Sequence, residues 1–368
     1  QAGSYTSSVG TDESVVKTNG ATSAIINLGV KQFAAPFFGG ADGIDIRYAN
    51  PFSDARISAG GANGYPQYSI DQAIEMVRYQ EDITCELMAM PGIVNGSLND
   101  KLISITEERG DCLGIIDLTG IEQDTWETEG AKTKASLSNL ITEIESRNID
   151  NSYAATYFPN IRMRDTLNGN NTILNAPPSV AAIGAIAKSD SLSHPWFAPA
   201  GFNRGGIGRL GGSLGPSVVG TVLHLPKEDR DTLYDNGVNP IAKFPSTGDT
   251  VIFGQKTLQV AASALDRINV RRLMIYLKRQ IGVIADTILF DQNVQVTWNR
   301  FKAQADEVLA TVQADLGITE YKLVLDETTT TPDLIDRNIL YAKIFVKPAR
   351  SIEFIAIDFV ITQSGVEF

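Results

Sequence analysis

The chain is short of the residues that build catalytic and metal centres. Its 368 residues include two histidines, His194 and His224, and two cysteines, Cys85 and Cys112. Neither histidine stands near a cysteine or in an H-x-x-x-H spacing, so a zinc site or a histidine-dependent triad finds no support. Two cysteines cannot frame a disulfide-held fold. Both fall in expected core strands and read as buried thiols of a reducing compartment. No apolar run is long enough to span a bilayer, and no signal peptide is visible. Positive charge is in deficit, with 31 Lys and Arg against 43 Asp and Glu and a net charge of −12, which disfavours nucleic acid and anionic membranes as partners. What is present is ample apolar material, 43% of residues, over a length that suggests two or three domains. Gln1 in place of a starting Met reads as a chain that has lost an N-terminal part.

Along the chain, residues 1–68 are rich in Gly, Ser, Ala and Asn, with short apolar runs between turn clusters, and read as the end of a β-rich domain. The pattern changes at Ser69. A capping box at Ser69–Gln72 opens a helix to about residue 80, and an apolar strand covers 83–90. Ser97 caps a second helix that Gly110 ends. A second strand covers 112–118, a third helix 134–147, a third strand 153–158, and a helix with Pro at its start 177–188. Strands alternating with helices predict a mainly parallel sheet over 69–190. Residues 191–220, dense in Gly and Pro, read as a linker. Residues 221–368 then supply a short helix near 227–234, small strands near 241–244 and 250–253, two long amphipathic helices and a strand at 321–325. The fold class is α+β and multidomain: a central α/β domain, then long helices packed on a small sheet that ends in a β-hairpin.

Several motifs invite a chemical reading. Gly206–Gly211 matches G-x-G-x-x-G, but a dinucleotide site needs a strand before and a helix after it, and here it lies in the Gly-rich linker. Gly92–Ser97 follows a strand and opens a helix, yet lacks the Lys of a phosphate loop. Asp117 ends a strand where α/β enzymes place functional carboxylates; without a partner group, an ordinary strand-end Asp is the better reading. No catalytic constellation, cofactor site or metal site emerges.

Two surfaces stand out. On the first long helix, Arg267, Arg271, Arg272, Lys278 and Arg279 share one half while the stripe from Val270 to Ile288 faces the other way. A solvated face is the usual reading of such a run, and a docking surface for an acidic protein is the alternative. At the C-terminus, two β-rich runs, 339–346 and 352–362, flank the turn Lys347-Pro348-Ala349-Arg350-Ser351 and predict a hairpin. The second run is apolar on both faces: Ile355, Ile357, Phe359 and Ile361 on one, Ile352, Phe354, Ala356 and Val360 on the other. Either other strands of this chain complete its sheet or strands from other copies do.

From Ser69 to Phe368 an ordered set of landmarks resembles the contractile tail sheath proteins of tailed bacteriophages. They are the run 153–160 (YAATYFPN), Pro177-Pro178-Ser179, Ala198-Pro199-Ala200-Gly201, the run 236–241 (NGVNPI), the run 253–258 (FGQKTL), the run 268–273 (INVRRL), Phe290 to Trp298 with Asn293, and Glu353-Phe354. The resemblance implies a structural subunit and no enzyme. It would polymerise in rings around an inner tube and contract to drive that tube through a bacterial envelope. It implies other sheath subunits, the tube protein, baseplate and tail terminator proteins as partners, with neither nucleic acid nor membrane insertion. It places the protein in the virion after assembly in the host cytoplasm. It assigns residues 1–68 to a variable outer domain, makes Arg267, Arg271, Arg272, Lys278 and Arg279 candidates for the inner-tube contact, and makes Ile352, Phe354, Ile355, Ile357, Phe359, Val360 and Ile361 candidates for strand exchange between subunits. The rivals are the sheath of a related injection machine, of bacteriocin or secretion type, and an α/β hydrolase or nucleotide-binding enzyme.

Overall fold

Residues 65–118, 137–165, 172–208, 218–245 and 247–353, with 4–6, 14–16 and residue 57, are described by the computed structural model of the protein. Strands β1 (Ser4–Thr6) and β2 (Ser14–Val16) form an antiparallel pair; the rest of the expected β-rich region before residue 65, Ile57 apart, lies outside the described residues. Helix α1 (Tyr65–Met76), strand β3 (Leu87–Ala89), helix α2 (Gly96–Arg109), strand β4 (Leu113–Ile116), helix α3 (Leu137–Arg147) and strand β5 (Ala154–Phe158) follow in the expected alternation. Next come β6 (Ile161–Arg164), β7 (Ile173–Ala176), α4 (Pro178–Leu192), the single turn α5 (Gly201–Arg204), β8 (Val218–Thr221), α6 (Lys227–Asp235), β9 (Val238–Phe244) and β10 (Asp249–Ile252). The long helices are α7 (Ile268–Asp286) and α8 (Gln295–Ala314), and β11 (Ile318–Val324), α9 (Pro332–Asp336) and β12 (Lys343–Pro348) complete the described chain.

The ends of α2 show how local chemistry sets an element. Asn95, not Ser97, is its cap: the Asn95 side chain accepts from the Leu98 N–H at 3.3 Å, while the Ser97 hydroxyl donates to Asn95 Oδ1 at 2.7 Å. Gly110 ends the helix at φ 65, its N–H returning to the Thr106 carbonyl, the left-handed stop that glycine favours. Helix α1 begins earlier than the capping box predicts, so Ser69 sits inside it.

The central sheet runs β10-β9-β5-β4-β3. β3, β4, β5 and β9 are parallel, and β10 is an antiparallel edge. The small strands expected beside the C-terminal helices therefore extend the α/β sheet across the boundary placed near residue 221. Side chains alternate to two separate cores. Ile116 and Phe158 pack with Leu98, Leu102, Ile105 and Leu140 on one face. Leu113, Ile115 and Tyr157 pack with Ala181, Ala185, Ile186, Ile268 and Ile275 on the other. A strand covered on both faces is apolar on both, which is why these runs read as continuous in sequence.

Of the Gly/Pro-rich stretch expected to be a linker, the described residues 191–208 and 218–220 are part of the body. Trp196 is buried and its indole N–H donates to the Asp315 carbonyl at 2.9 Å. The Ile207 N–H donates to the Thr250 carbonyl at 2.9 Å, and the Ile252 N–H to Gly205 at 2.8 Å. A Cβ on Gly208 would stand 2.0 Å from Asp249 Oδ1, so this glycine answers to close packing against β10. Sequence reasoning also missed the antiparallel sheet β7-β6-β8, whose strands are only four residues each.

A third core joins α7, α8 and the β11–β12 pair through Leu273, Leu277, Phe301, Leu309, Ile318 and Leu323. Helix α7 thus lies between two layers, giving Ile268 and Ile275 to the sheet core and Leu273 and Leu277 to the third.

Candidate functional site: a basic helix, a terminal anchor and an open-edged sheet

The cation row of α7 turns inward. Arg272 is 4% exposed; its guanidinium donates to Asp190 at 2.8 and 2.6 Å and to the Pro195 carbonyl at 3.2 Å. Arg271 is buried with its guanidinium 3.9 Å from the Tyr153 ring centroid and donates to the Ser152 hydroxyl. Burial pushes its pKa below the ordinary value, and Tyr153 offsets part of that. Arg279 reaches Glu86 at 2.7 Å and the Cys85 carbonyl at 2.8 Å, and Lys278 donates to the Arg109 carbonyl at 3.1 Å. Of the five cations, Lys278 alone keeps an exposed side chain. The expected solvated or docking face is instead a seam: Arg271, Lys278 and Arg279 meet the residues that precede β5, β4 and β3, and Arg272 meets the end of α4 and Pro195. Helical spacing places the cations on one half of α7 but does not say that a second layer covers that half.

This seam predicts a measurable cost. Arg272→Met strands Asp190, whose side chain is 30% exposed, and should lower the unfolding free energy by about 2–3 kcal/mol, less than for a fully buried pair. A urea midpoint unchanged from wild type would show the pair to be surface decoration.

The fifth cation anchors the end of the described chain. Arg267 pairs with Glu353 at 2.7 and 3.0 Å and with Asp266 at 2.9 Å, and Gln255 donates to Glu353 at 3.0 Å. Burial pushes the Glu353 carboxyl up, but the hydrogen bonds from Arg267 and Gln255 outweigh it and hold the pKa below its ordinary 4.5. A depressed native pKa contributes stability that is complete above the unfolded value and lost as pH falls through the native one. The stability gap between wild type and Glu353→Gln should therefore hold at neutral pH and close on acidification below 4.5. A gap independent of pH would show that the carboxylate charge plays no part.

Strand β12 pairs antiparallel with β11, from Ile318 opposite Pro348 to Val324 opposite Lys343. The expected hairpin paired this strand with 352–362 instead; of that run only Ile352 and Glu353 are described, and Phe354, Ile355, Ile357, Phe359, Val360 and Ile361 lie outside the described residues. Along β12, Ile344 and Val346 face the third core while Lys343, Phe345 and Lys347 are exposed. Among the described residues the pair has no further strand on either edge. An uncovered edge is a template for another chain.

The chemical alternatives take structural roles. Asp117 is buried and accepts from Gly92 and Ser179. His194 stacks on Trp196 with centroids 4.6 Å apart and stands 3.5 Å from Asp315. The glycines from 206 follow the helical turn α5 rather than a strand, contrary to what a dinucleotide loop requires. Cys112 is buried and burial pushes its thiol up to about 12, which makes it a poor nucleophile. Asn293, conspicuous in sequence, accepts from the Trp298 indole at 2.7 Å and holds the start of α8. The Glu353 anchor escaped sequence reading, because its partners lie 86 and 98 residues away.

Comparison with known proteins gives these features a context. The phage tail sheath C-terminal domain family matches residues 261–362. The tail sheath protein of Vibrio phage KVP40 is 36% identical over 243 residues, covering 65% of this chain and 34% of that protein. That of Enterobacteria phage T4 is 35% identical over 221 residues, covering 60% and 32%. The chain spans about a third of the length of these curated relatives. In fold it is similar to the sheath of an extracellular contractile injection system, PVC, in the contracted state, with TM-score 0.61, 19% identity and coverage of 78% and 74%. It is also similar to the contracted helical sheath of the anti-feeding prophage, with TM-score 0.59, 20% identity and coverage of 82% and 75%.

Proposed function

The chain belongs to the phage tail sheath protein family, and from that premise we propose that it is a structural subunit of a contractile tail sheath, a virion protein that works without catalysis. Its subunits polymerise around an inner tube, and contraction drives that tube through a bacterial envelope. Other copies, the tube protein, the baseplate and the tail terminator are its partners. The observation that carries this reading is the 36% identity to a phage tail sheath protein over 243 residues. The injection-machine sheaths share the fold at 19–20% identity, so the phage reading is favoured over that rival.

The energy source is a difference in interface free energy between two packed assemblies, with a barrier that keeps the extended one metastable. For that, the subunit must stay rigid while its contacts change. The inward cations of α7 support such rigidity, since they lock the helices to the α/β layer. The open-edged β11–β12 pair supports linkage by strand addition, with residues 352–362 of a neighbouring copy as the added strand. The inner-tube contact keeps only Lys278 of the original five candidates in an exposed position.

Electron microscopy of the native gene product, alone and with its tube protein, tests the reading. Ordered tubes or contracted sheaths are expected. A protein that stays monomeric with its tube, yet melts higher with a nucleotide in a manner abolished by Asp117→Asn, would transfer the case to the enzyme rival.

A further inference from the structure

Two features that no core explains sit at opposite ends of one helical rod. At one end, the turn between α7 and α8 holds Leu289 and Phe290 at 63% and 103% exposure. Val294 and Val296 beside them are also exposed, so the turn carries an apolar cluster rather than a scattered single residue. Phe290 has φ 68, a left-handed backbone that a bulky residue rarely adopts and that persists where a site requires it. Asp286 and Asp291 flank the tip, Asp291 paired with Arg300.

At the other end lies a groove of about 620 Å³. It opens beside Asn269 in the first turn of α7 and Leu316 just past the end of α8, with Trp196, Phe197 and Phe253 among its walls. Leu316 is also exposed, also with positive φ, at 63. The rim is basic in an acidic chain. Arg204, Lys227, Arg230 and Arg350 stand there against Asp231 and Glu353, and Glu353 is already held by Arg267. Tip and groove are separated by the length of the 19-residue α7, about 28 Å at roughly 1.5 Å per residue.

We propose that the Phe290 tip of one copy seats in this groove on a second copy. The apolar ring meets an apolar, aromatic wall, and Asp286 at the flank of the tip meets the basic rim. Donor and acceptor patches differ and lie at opposite ends of the same rod. The contact is therefore heterologous, and repeated along the rod it builds an open polymer rather than a closed dimer. The inference rests on the sheath-subunit reading and adds a contact whose donor, Phe290, and aromatic wall lie outside β11 and β12, while Ile352 and Glu353 at the start of the strand-exchange segment also line the groove.

The test uses the native gene product with Phe290→Ala. The side chain is solvent-exposed, so the monomer should melt as wild type does, while the protein concentration needed for polymer rises about tenfold or more, as for a central aromatic anchor. Arg230→Glu should weaken assembly in the same direction, and adding Asp286→Arg should restore part of it. A photo-crosslinking amino acid at position 290 should attach to peptides containing Phe253 or Leu316 of another copy. Assembly of Phe290→Ala at the wild-type concentration would overturn the proposal. So would a crosslink to residues 354–368 or to the tube protein, which would name a different occupant. If the unsubstituted protein forms no polymer under any condition, the sheath reading itself falls and takes this contact with it.

Discussion

The native gene product shortened by residues 360–368 should fold, melt close to wild type and form no ordered tubes. The β11–β12 pair has an uncovered strand on each edge among the described residues, and a two-stranded ribbon is marginal on its own. Its inner face is held by α8 and the third core, so the pair survives in the monomer while its edges stay open to another chain. As the extended strand that the sequence predicts, residues 352–362 would carry apolar side chains on both faces and need cover on both. A strand added between subunits contributes several main-chain hydrogen bonds at about 1 kcal/mol each, so four of them shift assembly by roughly a thousandfold. Ile357→Pro should act in the same direction, because it removes a ladder donor in mid-strand. Sedimentation and electron microscopy read the result. A truncated protein that still builds ordered sheaths would show that the tail is not the link between copies.

Asp117→Ala should lower stability by about 2–4 kcal/mol, the largest single-residue loss expected in the α/β layer. The side chain is 1% exposed. Its Oδ2 accepts from the Gly92 N–H at 2.8 Å and the Ser179 hydroxyl at 2.8 Å, and its Oδ1 from the Ser179 N–H at 3.2 Å. The Asp117 carbonyl accepts from Asn99 at 2.8 Å. One residue therefore ties the turn after β3, helix α2 and the first turn of α4 together. Removing the carboxylate strands donors that cost about 1–3 kcal/mol each when buried; Gly92 lies at the surface, where water offsets part of its share. Asp117→Asn keeps the shape but turns an amide N–H toward those donors, so it should lose nearly as much. The midpoint of urea unfolding measures both. A variant as stable as wild type that lost binding to a small molecule would mark a functional carboxylate instead of a structural one.

Apart from β6 and β7, the alternation of strands and helices from 69 to 190 was legible because each element carries its own period and its own boundary signal, as at the start of α4 at Pro178 and the end of α2 at Gly110. The two long helices were legible for the same reason. Three things were not. The strands β9 and β10 read only as small strands near 241–244 and 250–253, and nothing in them says that β9 lies beside β5, since that parallel pairing joins Thr156 to Val238 across more than eighty residues of chain. The Gly-rich stretch read as a linker, because glycine marks both free chain and chain pressed against a strand, and only the neighbour of Gly208 distinguishes the two. The cations of α7 read as surface, because a guanidinium row on one half of a helix looks the same whether water or a carbonyl-lined sheet end faces it.

The Phe290 tip and the Glu353 anchor divide along the same line. An apolar pair in a turn between two polar-faced helices was visible in sequence but had no meaning until the turn proved fully exposed. Glu353 stood in the sequence only as part of a landmark, and its role as an anchor was not legible, since Arg267 and Gln255 reach it only through the folded chain. By itself the sequence determined the element types, the apolar faces, the lack of catalytic material and the sheath resemblance, all of which are encoded in residues close together or in a fixed order. The tertiary structure alone decided which charged faces are buried, which strands share a sheet and which apolar groups remain for a partner. Those properties depend on layers meeting across long stretches of chain, and local sequence carries no record of which layers meet.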